Sequence, residues 1–272
     1  MALGYERVIK FVRHPRLKQV ELRFSHYRRR AFDKHMHDTY SVGVVNQGRT
    51  HIFHQQLDET IGAGEVVLIN PGEVHACNPQ PGAGLTYYML YLEPAFMQKI
   101  AGAVSGQDKV PYFIQPVVRD RHSYNALLEV CGAIFEGDSE FEIEANLEQV
   151  MSWLVQNFTD TTGQPDPLSG TIEFARKGRE YLLDNLSRNV SLQEVSAQTG
   201  LSPYHFLRVF RHHYGLPPHS YQLQQRINLA RHMLADGQPI VQVATEVGFA
   251  DQSHFTRKFK AFVGTTPRQY QL

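Results

Sequence analysis

Cysteine and tryptophan are almost missing from this chain, which has two cysteines, Cys77 and Cys131, and one tryptophan in 272 residues. Two cysteines make no disulfide framework, so the fold must rest on its core, and a reducing compartment is expected. No unbroken apolar run reaches the roughly twenty residues of a membrane-spanning helix, and no basic-then-apolar leader opens the sequence. A cytoplasmic protein that neither spans a membrane nor is secreted is therefore expected. Net charge is absent too, because 27 Lys and Arg balance 27 Asp and Glu. That balance hides a partition: residues 1–170 hold 15 basic and 20 acidic groups, and residues 171–272 hold 12 and 7. Only the second part has the sign that favours a polyanionic partner.

What is present divides at TDTTGQPDPLSG, residues 159–170, where proline, glycine, Asp and Thr deny both helix and strand periodicity. This predicts a linker between a domain over residues 1–158 and another over 171–272. In the first, TYSVGVVNQGRTHIFHQQ (39–56), IGAGEVVLINPGEVHA (61–76) and GLTYYMLYLEP (84–94) are rich in β-branched and aromatic residues and bounded by turn formers. They predict a small antiparallel β-barrel or sandwich. From about Asp120 the period becomes helical. Leu127, Leu128, Cys131, Ile134 and Phe135 form one stripe, and Leu147, Val150, Met151, Leu154 and Phe158 form another, split by the EGDSE turn. Two amphipathic helices are expected, covering the barrel and also available to join two copies of the chain as a homodimer.

The block FDKHMHDTY sets His35 and His37 two apart, so an extended backbone sends both rings to one face. His75, just past a Pro-Gly turn, can reach the same end of a barrel. Three imidazoles suit a borderline divalent metal such as zinc, nickel or iron, with Glu73, Cys77 or Tyr40 as a further ligand and Asp38 orienting a ring. The same groups equally line a metal-free pocket for a small polar or aromatic effector, drawn from His35, His37, Tyr40, Glu73 and His75, or have no ligand at all. This HxH and the later PGEVH resemble the motifs of a cupin-type sensor domain. That likeness implies metal-binding positions at His35, His37 and His75, but Tyr40 and Ser41 stand where the acidic cupin ligand is expected. No Ser-His-Asp order, phosphate loop or dinucleotide fingerprint occurs, so no catalytic residue is assigned. The rival reading is a metal-dependent cupin-type enzyme with an accessory DNA-binding domain.

The second half carries an internal echo. Val195, Gly200, His205, Phe206, Arg208, Phe210, Gly215, Pro218 and Tyr221 recur, with one residue added, as Val243, Gly248, His254, Phe255, Arg257, Phe259, Gly264, Pro267 and Tyr270. Each copy has a short helix (192–199 and 240–247), a glycine turn and a second helix, which is the helix-turn-helix layout. Ser202 is expected to cap the second helix of copy one with Pro203 at its first position, and Asp251 to cap that of copy two. Phe206, Val209 and Phe210 form one buried stripe, and Phe255, Phe259 and Phe262 the other. The opposite faces present Tyr204, Leu207 and Arg208, and Gln252, Ser253, Thr256 and Arg257. Arg and Gln can pair with guanine and adenine edges in a major groove, and Thr with a thymine methyl. Arg211, His212, Lys258, Lys260 and Arg268 are cast as phosphate contacts. A long helix through 219–237, with Leu223, Ile227, Ala230 and Leu234 on one face, separates the two readers. On one face of a duplex they would address consecutive major grooves about 34 Å apart.

These residues, above all GFADQSHFTRKF with its trailing Gly264 and TPRQY, resemble the AraC/XylS family of bacterial transcription regulators. The resemblance implies a fold of a cupin-like antiparallel barrel with flanking helices (α+β) followed by an all-α domain with two helix-turn-helix motifs. It implies a function of binding promoter DNA, answering to a small-molecule effector and contacting RNA polymerase, most relatives being activators. Leu207 stands where many relatives have a polar reader, so copy two is expected to carry more of the polar readout. A protein that merely docks partners on these helices is the third reading.

Overall fold

The structure is a computed structural model, and it describes residues 7–13, 17–28, 32–54, 57–80, 84–106, 109–160 and 169–271. The chain divides into two compact units; among the described residues one holds ten strands and three helices, and the other, which also takes in residues 32–36, holds seven helices.

In the first unit, strands β1 (Arg7–Arg13), β2 (Val20–Tyr27), β3 (Tyr40–His54), β4 (Leu57–Gly62), β5 (Val66–Ile69), β6 (His75–Pro79) and β7 (Leu85–Leu92) precede helix α1 (Pro94–Ser105). The two-residue strands β8 (Tyr112–Phe113) and β9 (Val117–Val118) follow, then α2 (Arg121–Glu136), α3 (Glu140–Phe158) and β10 (Thr159–Asp160). The long strand β3 organises the sheet. Its first half pairs antiparallel with β7 and β5, and past a bulge between Val45 and Gln47 its second half pairs with β4 and β6. β2 and β1 extend the sheet beyond β7, and β9 closes the other side on β5. The expected antiparallel architecture is present, with more strands than anticipated. The segment 61–76 spans the end of β4, all of β5 and the start of β6, and β1, β2 and α1 were not foreseen.

Strand alternation splits the residues between two faces. Leu22, Val42, Val44, Leu68 and Leu90 join Leu127, Val130, Leu147, Met151 and Leu154 in one buried cluster, so the two anticipated helices cover the outer face of the sheet. Their ends are fixed by Asp120, which accepts from the Ser123 amide at 2.7 Å, and by Ser139, which accepts from that of Glu142. The opposite face, carrying Arg23, Ser41, Tyr87, Met89 and Tyr91, is buried as well. It encloses a cavity of only about 10 Å³ between Gly43, Thr50, Val67, Cys77, Tyr87 and Met89.

The second unit runs α4 (Ser169–Asp184), α5 (Leu192–Thr199), α6 (Pro203–Tyr214), α7 (Pro218–Ala235), α8 (Ile240–Glu246), α9 (Gln252–Val263) and α10 (Pro267–Gln271). Of the linker expected over 159–170, Thr159–Asp160 form β10 and residues 169–170 open α4, so it is shorter than expected, and residues 161–168 lie outside the described residues.

Candidate functional site

The two echoed segments fold as two helix pairs, α5–α6 and α8–α9. In copy one Ser191 and Glu194 form a reciprocal capping box on α5, and Gly200 turns the chain at φ 74°. Ser202 then caps α6 by accepting from the His205 amide, with Pro203 in the first turn. In copy two the turn is at Gly248, φ 86°, and Asp251 caps α9 by accepting from the His254 amide at 2.7 Å. Negative charge and acceptor atoms at these helix starts satisfy amides that have no partner inside the helix.

Each second helix buries one face and presents the other. Phe206 and Phe210 are fully buried with ring centroids 5.4 Å apart, and Phe255 and Phe259 repeat the arrangement at 5.5 Å. The third member of the second stripe is Val263, four residues after Phe259, whereas Phe262 is only half-buried. On the outward faces Tyr204, Arg208 and Arg211 are exposed and Leu207 is half-buried. Gln252, Ser253, Thr256, Arg257 and Lys260 come together along a single open recess on α9. Arg176 and Arg188 are engaged by Glu173, Glu180 and Glu194. Among the described residues Arg208, Arg211, Arg257 and Lys260 make no such pair.

Of the apolar face expected on the linking helix α7, Leu223 is half-buried and Ile227, Ala230 and Leu234 are buried. So are Gln222, Gln224, Arg226, Asn228 and Arg231, which that expectation missed because helices pack on more than one side of α7.

His35, His37 and His75 are all buried, and one candidate ligand atom of each lies within 4.8 Å of the others. The His37 ring sits 5.2 Å from that of His75 and 4.8 Å from that of Tyr91. Nδ1 of His35 faces the Asp33 carbonyl at 2.7 Å, and Nδ1 of His75 faces the Glu73 carbonyl at 2.9 Å. That carbonyl-facing Nδ1 is the arrangement that turns Nε2 of a metal-bound imidazole toward its ion. No described carboxylate belongs to this group of ligand atoms.

Glu73 and Tyr40 have other duties. Glu73 Oε2 accepts from His54 Nε2 at 2.8 Å and from the Asn70 amide at 2.9 Å, while Oε1 accepts from the Tyr112 hydroxyl at 2.7 Å. Burial pushes the Glu73 pKa up, but these donors together outweigh it and hold the carboxyl below its usual range. Tyr40 donates to the Pro111 carbonyl, and Asn70 bonds both the amide and the carbonyl of Phe113. Both residues therefore fasten the segment 111–113 to the sheet.

The inner face also holds groups that escaped the sequence reading. Arg23 is 3% exposed, donates to the Tyr91 hydroxyl at 3.4 Å and lies over the Tyr87 ring. The Tyr27 hydroxyl donates to the Cys77 carbonyl, and burial pushes the Cys77 thiol pKa up to about 12, which disfavours the thiolate a metal would need. The alternation of VELRFSHY was the available signal, but it does not say whether its polar members face solvent or an interior.

Comparison with known proteins agrees with both halves. The family model described as AraC-like ligand binding domain matches residues 17–153, and the one described as helix-turn-helix domain matches 195–272. The chain is 32% identical over 226 residues to the HTH-type transcriptional regulator YbfI of Bacillus subtilis strain 168, covering 82% of this chain and 81% of the relative. It is 24% identical over 239 residues to the arabinose operon regulatory protein of Escherichia coli K12, covering 85% and 80%. In fold it is similar to ToxT of Vibrio cholerae strain SCE256, with TM-score 0.60 at 16% identity over 93% of this chain and 94% of that one. The chain therefore belongs to the AraC family of transcriptional regulators, with an N-terminal ligand-binding domain and a C-terminal helix-turn-helix DNA-binding domain.

Proposed function

We propose that α6 and α9 enter consecutive major grooves of double-stranded promoter DNA and divide the readout unequally. Arg257, Gln252, Ser253 and Thr256 read base edges from α9. Tyr204, Leu207 and Arg208 supply apolar and single-arginine contacts from α6, and Arg211 and Lys260 hold phosphates. The observation that carries this is the shared recess of Gln252, Ser253, Thr256, Arg257 and Lys260 opposite a face sealed by Phe255 and Phe259. The test is binding across a salt series. Arg257→Ala should cost about 1–3 kcal/mol of discrimination at one base position, whereas Lys260→Ala should weaken all DNA alike and reduce the salt slope by about one. Unchanged specific affinity of the Arg257 variant overturns the base-reading role.

The sensor acts by binding rather than turnover in this reading, with the protein in the cytoplasm; among the described residues no helix is long and apolar enough to cross a membrane. A small-molecule effector meets His35, His37 and His75, while Tyr40 and Glu73 hold the neighbouring strap in place. The same histidines suit a borderline divalent metal, supported by their mutual distances and by the carbonyls behind His35 and His75. Homodimerisation is assigned to α2 and α3, where Phe141 is 81% exposed and Trp153 is 37% exposed. Contact with RNA polymerase completes the proposed partner set.

A further inference from the structure

The helix α7 joins the two helix pairs, but one of its side chains does more than separate them. Arg226 is 6% exposed, at the middle of α7. Its Nε donates to the Leu186 carbonyl at 2.6 Å and its Nη2 to the Arg188 carbonyl at 2.8 Å, both in the loop between α4 and α5. Its Nη1 donates to the Gly248 carbonyl at 3.0 Å, in the turn between α8 and α9. Gln222, one turn earlier, donates to the Asn185 and Arg188 carbonyls at 2.9 and 3.0 Å. The two loops also touch directly. A Cβ on Gly248 would lie 2.0 Å from the Ser187 carbonyl oxygen, so this turn tolerates only glycine, for its contact as well as for its positive φ.

One planar guanidinium therefore ties the loop that leads into the first helix pair to the turn inside the second. Its fork spans acceptors that a lysine ammonium, a single point of charge, cannot reach together. We propose that Arg226, seated on Gly248, is the positioning residue that locks α6 and α9 at one separation and one rotation. The DNA-binding domain then measures the spacing of two half-sites as strictly as it reads their sequence. This rests on the two-groove reading above and adds a specificity that no base-contacting residue supplies.

The experiment uses the full chain and duplexes enriched by the wild-type protein from a random-sequence library. Four derivatives of the enriched duplex are compared: the original, one with one base pair inserted between the half-sites, one with two inserted, and one with a half-site scrambled. An inserted pair displaces a half-site by about 3.4 Å and rotates it by about 34°. Wild type should lose at least about tenfold on insertion, because the second contact is no longer reachable without strain. Arg226→Met should bind the scrambled duplex within about twofold of wild type, lose about tenfold on the original, and respond little to insertion. Arg226→Lys should fall between the two.

A loss by the same factor on all four duplexes makes Arg226 a merely structural residue and overturns the proposal. So does wild-type affinity that is indifferent to the inserted pair, a result that needs no variant and stands even if Arg226→Met does not fold. A library that yields no enriched sequence would instead overturn the DNA-binding reading itself.

Discussion

Gly178 offers a test in which two general rules predict opposite signs. It lies inside α4, where replacing glycine by alanine ordinarily stabilises a helix by about 1 kcal/mol. Here a Cβ would lie 2.4 Å from both Cε2 and Cζ of Phe206, an ångström inside ordinary contact distance. Phe206 is fully buried against Phe210, and Val195 Cγ1 would lie 3.4 Å from the same Cβ, so the ring can give way only by disturbing a packed core. Overpacking of this kind costs about 1–3 kcal/mol, and the depth of the overlap puts this case near the upper end. After the gain in helix propensity, Gly178→Ala should destabilise the C-terminal unit by about 2 kcal/mol, lowering its thermal midpoint by roughly 10 °C. Thermal and urea unfolding of the full chain measures this. The companion variant Phe206→Leu should partly relieve the overlap, so the double variant should be more stable than the sum of the single losses by about 1 kcal/mol. Gly178→Ala more stable than wild type, or strict additivity in the cycle, would refute the reasoning.

The remaining predictions concern ion pairs, metal and assembly. The Glu194 carboxyl is held down from 4.5 to about 2, chiefly by the Ser191 amide and then by Arg188. A carboxyl depressed on folding stabilises above the unfolded pKa and loses that benefit as pH falls toward the folded one. The stability gap between wild type and Glu194→Gln should therefore be constant near neutrality and close progressively below pH 4.5. If the three histidines hold a metal, the protein purified without a tag should bind one equivalent of zinc or cobalt and melt higher with it. His37→Ala and His75→Ala should abolish both effects, and metal content that does not rise on reconstitution refutes the site. Sedimentation at micromolar concentration should show a dimer that Phe141→Asp and Trp153→Asp dissociate; a strict monomer with and without DNA refutes the α2–α3 interface.

Much of the C-terminal unit was legible because each of its signals is local. Ser202, Pro203 and Asp251 announce helix starts by the chemistry of one side chain, and the Phe206–Phe210 and Phe255–Phe259 spacings follow from the helical repeat alone. The helices α2 and α3 were legible for the same reason. The N-terminal strands resisted because β2 turns Arg23 and Tyr27 toward an interior, and alternation does not distinguish an interior polar face from a wet one. Arg226 and Gln222 resisted because their acceptors are backbone carbonyls 22 to 40 residues away, brought within reach only by the tertiary fold. Glu73 looked like a pocket residue since a carboxylate beside a histidine suggests chemistry. Its side-chain partners, His54, Asn70 and Tyr112, come from three separate segments that it joins.

The two residues that leave α3 pair with β8, Thr159 with Phe113 and Asp160 with Tyr112. Those same residues of β8 are gripped by Asn70 and Glu73, in the turn that ends at His75. The end of α3 is thus tied, through β8, to the turn that ends at His75 by polar bonds of the buried Asn70 and Glu73. Directional bonds of this kind break or follow over small displacements, whereas close-packed side chains resist them. A slight tilt of the turn at His75 should therefore be followed by β8 and by the last residues of α3.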